Sequence, residues 1–320
     1  MEINEKFLKE KGLKNKTINK YIQLKNTKRI KKGILGEDTQ YKNINKFLKN
    51  HKIIKCKGYH KEFNPKKNYK LAKQPIGKFD EISIKDEAEI EGWIYSGGWI
   101  GLRLENLTAI DVDKDNYRIE LVKWYIDKFF QDKEIKPVIQ KTKNGYHFIF
   151  RQYNLNNKPF NNSNYLSKLG VNLTAKSGIN ACIIIEPSEG KQWLTEPDFD
   201  SIPELPEVFT PLDKDNAKEI VDAIVRNIAF CYQKNSLNGY EDIELSFCYF
   251  LVKEGFSDDY IHNAFKFIYP DYDHSRTKSI IERTKERLNN NEELKGIKSL
   301  FEKIKDNAEL KTLKILFELY

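Results

Sequence analysis

The hydrophobic pattern of this chain changes near Pro211, from the two-residue alternation of strands to the three- and four-residue spacing of helices. Before Pro211, apolar runs predict a helix over 116–130 and strands over residues 99–104, 107–113, 138–142, 146–152 and 181–186. After it, apolar stripes predict helices over 215–232, 241–253, 257–269 and 275–288. Because strands and helices occupy different parts of the chain, we predict an α+β fold with a mixed sheet followed by an all-helical domain.

The chain is expected to divide into three parts. They are a basic helical segment over residues 1–50, a domain of strands and helices over 51–212, and a helical domain over 213–320. The local predictions for the first part of the chain are, in order, helices over 3–30 and 40–50, irregular chain or short strands over 52–80, and a helix over 86–93.

Positive charge is concentrated at the start of the chain. Residues 1–80 carry 23 Lys and Arg against 7 Asp and Glu, whereas the whole chain has a net charge of +8, so the remainder is acidic. A basic segment favours a partner with a phosphate backbone, because each neutralised phosphate releases counterions. Nucleic acid is therefore the expected partner, and a merely solvated lysine-rich surface is the alternative. The interleaved aromatic residues are interpreted either as stacking on bases or as a small core: Tyr41, Tyr59, Phe63, Tyr69 and Phe79.

The composition argues against membrane and disulfide-rich proteins. No apolar run approaches the roughly 20 residues of a membrane span, and the charged first residues lack the hydrophobic core of a signal peptide. The four cysteines form no C-x-x-C pair, which argues against a zinc ribbon and a disulfide framework. We therefore expect a cytoplasmic protein that does not bind a membrane.

Two carboxylates close the apolar run Leu107-Thr-Ala-Ile-Asp-Val-Asp113. Successive side chains of a strand point to opposite faces, so Asp111 and Asp113 share one face while Ile110 and Val112 take the other. Two carboxylates on one face suit Mg²⁺ or Mn²⁺ in combination with substrate phosphates. The alternative interpretation is a strand that ends in a solvated acidic loop.

The dipeptide Asn144-Gly145 lies between two apolar strands, where it is typical of a two-residue β-hairpin turn. His147 then falls early in the returning strand. If that hairpin packs beside the acidic strand, the imidazole can reach a ligand held near Asp111 and Asp113. A structural, hydrogen-bonded histidine is the alternative.

Five short segments occur in order along residues 70 to 190. They are Lys73-Gln-Pro75, Gly98-Trp-Ile-Gly-Leu-Arg103, Ile110-Asp-Val-Asp113, Thr142-Lys-Asn-Gly-Tyr-His147 and Ile183-Ile-Ile-Glu-Pro-Ser188. This order resembles that of the bifunctional primase-polymerases of the archaeo-eukaryotic primase superfamily, as found in plasmid and phage replication proteins. The resemblance implies a primase-polymerase catalytic domain over 51–212 with an RRM-like half, and a C-terminal domain that binds template or a partner.

The resemblance also implies nucleotidyl transfer with two metal ions. Asp111 and Asp113 would hold two Mg²⁺ or Mn²⁺ ions that activate the attacking 3′-hydroxyl and neutralise the leaving pyrophosphate. His147 would contact the triphosphate of the incoming nucleotide. Further candidates for nucleotide contacts are Arg103, Lys141, Lys143 and Ser188. For the three charged candidates, a solvated strand edge is the alternative.

One acid of the family pattern is replaced in this chain. Where the family usually carries a third aspartate, the stretch Gly170-Val-Asn-Leu-Thr174 has Asn172. An amide ligates a metal through its oxygen, but it brings no charge and cannot act as a base. Three explanations stay open: a natural site with altered metal binding, an engineered inactivation, or a carboxylate supplied by Glu186 from the neighbouring strand.

The expected partners are a single-stranded DNA template with its primer, and dNTP or NTP substrates. The sequence has no P-loop of the form G-x-x-x-x-G-K-[ST], so a helicase would come from a separate protein or segment. Two other functions stay open. A metal-dependent nuclease would degrade DNA without a nucleoside triphosphate, and a non-catalytic replication initiator, in which Asn172 marks a decayed site, would bind DNA without metal-dependent nucleotide binding.

Overall fold

The computed structural model describes residues 51–63, 66–113, 115–155, 158–234, 236–237, 240–271, 274–292 and 296–320. The segment 1–50, with the helices expected over 3–30 and 40–50, lies outside the described residues. Among the helices of these ranges, none is both long and apolar enough to cross a membrane.

The fold is α+β, as the sequence predicts. The strands, in chain order, are β1 (Ile53–Cys56), β2 (Trp99–Asp113), β3 (Val138–Lys141), β4 (Gly145–Arg151), β5 (Asn154–Leu155), β6 (Lys158–Pro159), β7 (Asn162–Leu166), β8 (Asn172–Ile184) and β9 (Gln192–Trp193). The helices are α1 (Tyr69–Ala72), α2 (Glu87–Tyr95), α3 (Asn116–Phe130), α4 (Ala217–Gln233), α5 (Tyr240–Lys253), α6 (Asp258–Ile268), α7 (Thr277–Asn289), α8 (Ile297–Lys303) and α9 (Asn307–Leu319). Helix α3 has the predicted bounds, and α4 to α7 follow the predicted ranges closely.

The described chain forms two compact units. The first contains residues up to Asp115, 132–163 and 174–205, and the second contains 116–131, 164–173 and 206–320. The second unit therefore includes helix α3 and the β7–β8 turn in addition to the C-terminal helices, whereas our expected boundary at residue 213 divides the chain once.

One seven-stranded sheet runs in the order β7-β8-β2-β4-β3-β9, with β1 paired to the first part of β2. The expectation of a mixed sheet is wrong, because the sheet is antiparallel. The crossover through α3 does lead from β2 to β3, but β4 returns between these two strands and pairs antiparallel with both. Parallel strands are therefore separated rather than adjacent.

Strand β2 is the central element of the sheet. The sequence predicts two strands here, over 99–104 and 107–113, and the structure joins them into one. Its first part pairs with β1 and its last part with β4, while β8 follows it with a shift of register between Leu104 and Thr108. The residues between the two predicted strands thus form a β-bulge. Beyond it, Asp111 and Asp113 are still paired with β4.

The predicted hairpin between β3 and β4 is present, but its turn differs from the prediction. Strand β3 ends at Lys141 and β4 begins at Gly145, so Gly145 belongs to the returning strand and not to the turn. The Thr142 amide donates to the Gly145 carbonyl oxygen at 2.8 Å. The Thr142 hydroxyl accepts hydrogen bonds from the amides of Asn144 and Gly145. A Cβ at Gly145 would lie 1.9 Å from the carbonyl oxygen of Val112, so glycine is required for close approach to β2 rather than for the turn.

Helix α2 is anchored to the acidic strand through its tryptophan. The Asp86 carboxylate caps its first turn by accepting from the amide of Glu89 at 2.9 Å. Near its end, Trp93 Nε1 donates to the carbonyl oxygens of Cys56 and Trp99. A Cβ at Gly98 would lie 2.3 Å from the Trp93 ring, which explains the glycine that opens the segment before β2.

Packing is the better of the two interpretations for three of the interleaved aromatic residues. Tyr59, Tyr69 and Phe79 contact the small core that includes Cys56 and Trp99. Phe63 lies 5.4 Å from the His60 ring, centroid to centroid. Tyr41 lies outside the described residues.

The second unit has its own core, built on helix α4. Buried Asn227 of α4 donates to the carbonyl oxygen of Leu169 at 2.8 Å and accepts from the hydroxyl of Tyr117. A Cβ at Gly170 would lie 2.5 Å from the Asn227 amide nitrogen. This one side chain therefore bonds the β7–β8 turn and α3 to the C-terminal helices, which explains why the unit is discontinuous in sequence.

Candidate active site

The acidic strand and the histidine strand are neighbours in the sheet. Asp111 of β2 pairs with His147 of β4, and Asp113 pairs with Gly145. Nε2 of His147 lies 3.6 Å from Oδ1 of Asp111. The strand pairing that the sequence argument required is therefore present, and it brings the histidine to the face that carries both carboxylates. Asp111 is mostly buried, whereas Asp113 is exposed.

A buried glutamine holds the histidine ring. The Glu186 amide can only donate, and it lies 3.0 Å from Oε1 of Gln140. The amide nitrogen of Gln140 therefore faces Nδ1 of His147 at 2.9 Å and the carbonyl oxygen of Ile184 at 3.0 Å. Because Nδ1 accepts this hydrogen bond, the imidazole proton is assigned to Nε2, the nitrogen that faces Asp111.

The histidine is neutral at physiological pH. Burial lowers the pKa of His147 to about 3, and the charge of Asp111 offsets only part of that effect. A neutral ring with its proton on Nε2 offers a hydrogen-bond donor to an anionic ligand on the acidic face. It does not offer a general base, because Nδ1 is engaged by Gln140.

A lysine from the next strand pairs with the buried aspartate. Nζ of Lys176, on β8, lies 2.7 Å from Oδ2 of Asp111. Oδ1 of Asp111 is buried and has no hydrogen-bond partner within the described ranges. Burial alone would raise the pKa of Asp111, but His147, Lys176 and Lys73 outweigh it and hold the pKa below its usual value. The carboxylate is therefore ionised and has one unused oxygen.

Two further lysines face the same carboxylates. Lys73, which follows α1, and Lys191, in the loop before β9, both interact electrostatically with Asp111. Burial and the charge of Lys73 lower the pKa of Lys191 to about 8, against the opposing effect of the two aspartates. Lys73, Lys176 and Lys191, called here the lysine cluster, thus crowd three positive charges around two negative ones. An anion would relieve that crowding.

Tyr69 borders the lysine cluster. The ammonium of Lys73 lies 4.8 Å and that of Lys143 lies 5.2 Å from the centroid of its ring. Burial raises the pKa of Tyr69, and the charges of Asp113 and Asp111 add to that effect. The Lys143 side chain is exposed, and its contact with Tyr69 places it at the edge of the same face. Its predicted contact with nucleotide stays a prediction.

Arg103 lies away from this face. It precedes Asp111 by eight residues on β2, which corresponds to about 20 Å or more along a strand. Its guanidinium is buried, with hydrogen bonds to the Asp80 carboxylate at 2.6 Å and the Ile179 carbonyl oxygen at 2.7 Å. This guanidinium therefore forms a structural ion pair with Asp80, and the predicted nucleotide contact of Arg103 stays a prediction.

Glu186 and Ser188 are both engaged by the backbone. The Glu186 carboxylate accepts a hydrogen bond from the amide of Trp193 at 2.6 Å, and burial raises its pKa. The buried Ser188 hydroxyl accepts from the amide of Ile100 at 3.0 Å. These bonds join the loop after β8 to β9 and β2. The predicted metal ligation by Glu186 and nucleotide contact by Ser188 stay predictions.

Two other predicted residues are exposed. Lys141 is the last residue of β3, where it pairs with Gln192 of β9. Asn172 is the first residue of β8 and belongs to the second unit, where its carbonyl oxygen accepts from Arg118 Nη1 at 3.1 Å. A role for Lys141 in nucleotide contact, and for Asn172 as a metal ligand, stays predicted.

The donor set fits an ion whose coordination is completed by substrate. Across the described ranges, no three His, Cys, Asp or Glu side chains are grouped as a metal cage. Mg²⁺ is commonly bound through one or two carboxylates with substrate phosphates and water as the other ligands. The unused oxygen of Asp111 and the exposed carboxylate of Asp113 match that requirement.

Sequence reasoning missed Gln140, Lys176 and Lys191. It also quoted Lys73 within a motif without assigning it a role. Lys176 follows Asn172 by four residues on the same strand, so the alternation of side chains could have placed both on one face. For Gln140 and Lys191 no sequence signal exists, because their roles follow from the pairing of β3 with β4 and from the loop before β9.

A scan against protein-family models matches no family, and a search of curated proteins returns no match.

Proposed function

We propose that this chain is a DNA primase-polymerase of a plasmid or phage replication system, a nucleotidyltransferase that adds dNTPs or NTPs to a strand on a single-stranded DNA template. The observation that carries the proposal is the meeting of Asp111, His147 and the lysine cluster on one face of the sheet. Carboxylates for a cation beside donors for a polyphosphate are the two requirements of nucleotidyl transfer.

Each residue of the cluster has a definite task in this proposal. Nε2–H of His147 and the ammonium groups of Lys176 and Lys191 bind the triphosphate, where charge builds up as pyrophosphate leaves. Asp111 and Asp113 would hold Mg²⁺ or Mn²⁺, which would supply the Lewis acid that lowers the pKa of the primer 3′-hydroxyl. The 3′-oxygen forms the new bond to the α-phosphorus as the bond to pyrophosphate breaks, and the hydroxyl proton passes to water.

The charge of the chain supports nucleic acid as its partner. The excess of lysine and arginine in residues 1–80 supports binding of the template backbone. We expect the enzyme to act in the cytoplasm, with a primed single strand as the polymer substrate and a separate helicase to expose it.

The non-catalytic initiator is the second candidate. Asn172 brings no charge, and Lys176 neutralises Asp111, which are features expected of a site that has lost metal binding. A nuclease is less well supported, because three lysines and a neutral histidine around two acids favour a polyphosphate over a water nucleophile that needs a base.

Incorporation of labelled nucleotides tests the proposal. The assay supplies dNTPs or NTPs on a single-stranded template, with and without a primer, in Mg²⁺ and then Mn²⁺, and compares the chain with Asn172→Asp and Asp111→Ala. Metal-dependent product that Asp111→Ala abolishes is the expected result. A gain from Asn172→Asp would identify the asparagine as a lesion.

The alternatives give different results in the same assay. DNA binding with a steep salt dependence but no product from any variant would establish the initiator. Shortened template without added nucleoside triphosphate would establish the nuclease.

A further inference from the structure

The buried aspartate has one oxygen occupied by a fixed positive charge. Lys176 donates to Oδ2 of Asp111 at 2.7 Å, and 15% of the Asp111 side chain is exposed. In a two-ion site the ions stand about 4 Å apart and share carboxylate oxygens. The ammonium of Lys176 therefore occupies a position beside Asp111 that a second ion would need.

The remaining carboxylate oxygens are too few for two ions. Among the residues that the structure describes, the ligands available on the acidic face are Oδ1 of Asp111 and the exposed carboxylate of Asp113. The Glu186 carboxylate bonds the Trp193 amide. Asn172 contributes no charge in any position. One cation can be coordinated by this set with phosphate oxygens and water, but a second would find no further anionic ligand among these described side chains.

We propose that the site takes one divalent cation with its polyphosphate, and that Lys176 supplies the positive charge that a second ion would carry. The inference rests on the proposed nucleotidyl transfer at this site. A lysine ammonium is a compact point charge that needs no coordination sphere, so it can neutralise phosphate charge where ligands for an ion are missing. Lys73 and Lys191 add to the same positive potential and disfavour a further dication nearby.

The count of bound ions tests the inference without relying on activity. The protein is dialysed to equilibrium against Mn²⁺ and a non-hydrolysable dATP analogue, and the excess of metal and of nucleotide in the protein chamber is measured per chain. We expect one Mn²⁺ for each bound nucleotide in the unaltered chain, and loss of that Mn²⁺ excess in Asp113→Ala.

Variants at Lys176 provide the second half of the test. In Lys176→Glu, a carboxylate replaces the ammonium beside Asp111, so we expect the count to rise from one Mn²⁺ to two. Lys176→Arg keeps the charge and should keep the count at one. Lys136→Ala removes an exposed lysine outside the cluster and serves as the matched control. Circular dichroism verifies that each variant is folded.

The outcomes separate this inference from the proposed function. Two Mn²⁺ per nucleotide in the unaltered chain would overturn the one-ion inference and leave the nucleotidyltransferase in place. No excess of metal or nucleotide would overturn both. A count that stays at one in folded Lys176→Glu would also contradict the role of Lys176.

Discussion

Lys191 in the first unit and Lys168 in the second are both largely buried lysines, yet their environments are opposite. The Lys168 ammonium bonds Glu207 at 2.6 Å and Glu219 at 2.8 Å. Burial would lower the pKa of Lys168, but these two carboxylates outweigh it and raise the pKa. Lys191 is 8% exposed, its ammonium forms no hydrogen bond or ion pair with another described side chain, and burial lowers its pKa to about 8.

The difference separates a structural charge from a functional one. A lysine with two carboxylates of its own is already neutralised and has little to offer a ligand. A buried lysine beside two other lysines destabilises the folded protein, and the binding of an anionic ligand offsets that destabilisation. The uneven balance of charge, rather than the number of charged residues, therefore distinguishes the candidate active site from the rest of the protein.

The largest expected effect comes from an acid of the first unit. Asp111→Ala should lower incorporation about 10³-fold or more, because it removes a carboxylate that we propose binds the cation, and should leave DNA binding unchanged. Glu219→Gln, at the paired lysine, should leave incorporation within about twofold of the unaltered chain. Steady-state incorporation and a DNA gel-shift assay measure both. Equal losses of incorporation in the two variants would show that the acid of the first unit has no special role.

The next effect concerns the orientation of the histidine. Gln140→Glu places a carboxylate against Nδ1 of His147, which favours a proton there and raises the imidazole pKa. Incorporation should fall about 10- to 100-fold, the usual cost of losing an outer hydrogen bond that holds a functional histidine. Nitrogen-15 NMR should show the neutral ring protonated on Nε2 in the unaltered chain and a changed state in the variant. His147→Asn supplies the assignment, and an unchanged ring signal would refute the role of Gln140.

Lys191 should make nucleotide affinity depend on pH. Its ammonium is charged below a pH of about 8 and loses its proton above it, so the affinity for dATP should fall as pH rises from 7 to 9. Lys191→Arg should abolish this dependence, because arginine stays charged, and Lys191→Ala should weaken binding at pH 7 about tenfold. Calorimetric titration measures the affinities. A flat profile in the unaltered chain would show that this lysine does not bind the phosphates.

The stability of the fold should respond to pH with the opposite sign. The pKa of Lys191 is lowered in the folded state, so between pH 8 and about 10 the unfolded chain binds more protons. This lysine therefore favours folding more as pH rises through that window. Comparing the unaltered chain with Lys191→Met by urea unfolding at pH 7.5 and 9.5 isolates its contribution.

The smallest effect is expected at the paired lysine. Lys168→Ala leaves Glu207 and Glu219 without their cation, and we expect a loss of about 1–2 kcal/mol in the free energy of unfolding. Nucleotide affinity should not change. Lys266→Ala, an exposed lysine of α6, is the control. If Lys168→Ala is more stable than the unaltered chain, the two ion pairs of Lys168 do not offset the free-energy cost of burying its charge.

Much of the local structure follows from sequence alone. Helix α3 has its predicted bounds, and the hairpin that contains His147 lies where it was expected. The prediction that Asn144 and Gly145 form the two-residue turn was wrong, because Gly145 is the first residue of β4, where glycine is needed for close packing against Val112. The antiparallel sheet was missed because strand order depends on pairing between distant segments rather than on the pattern within each segment.

The sequence by itself determined that Asp111 and Asp113 share a face, since side chains alternate along any strand. It also determined helices α3 to α7 and strands β2 to β4, because these patterns depend on neighbours a few residues apart. Only the tertiary structure decided that Lys73, Lys176 and Lys191 meet those acids, and that Gln140 sets the proton of His147. Such convergence depends on strand order and loop path, which are set by the packing of the whole sheet and not by any local pattern.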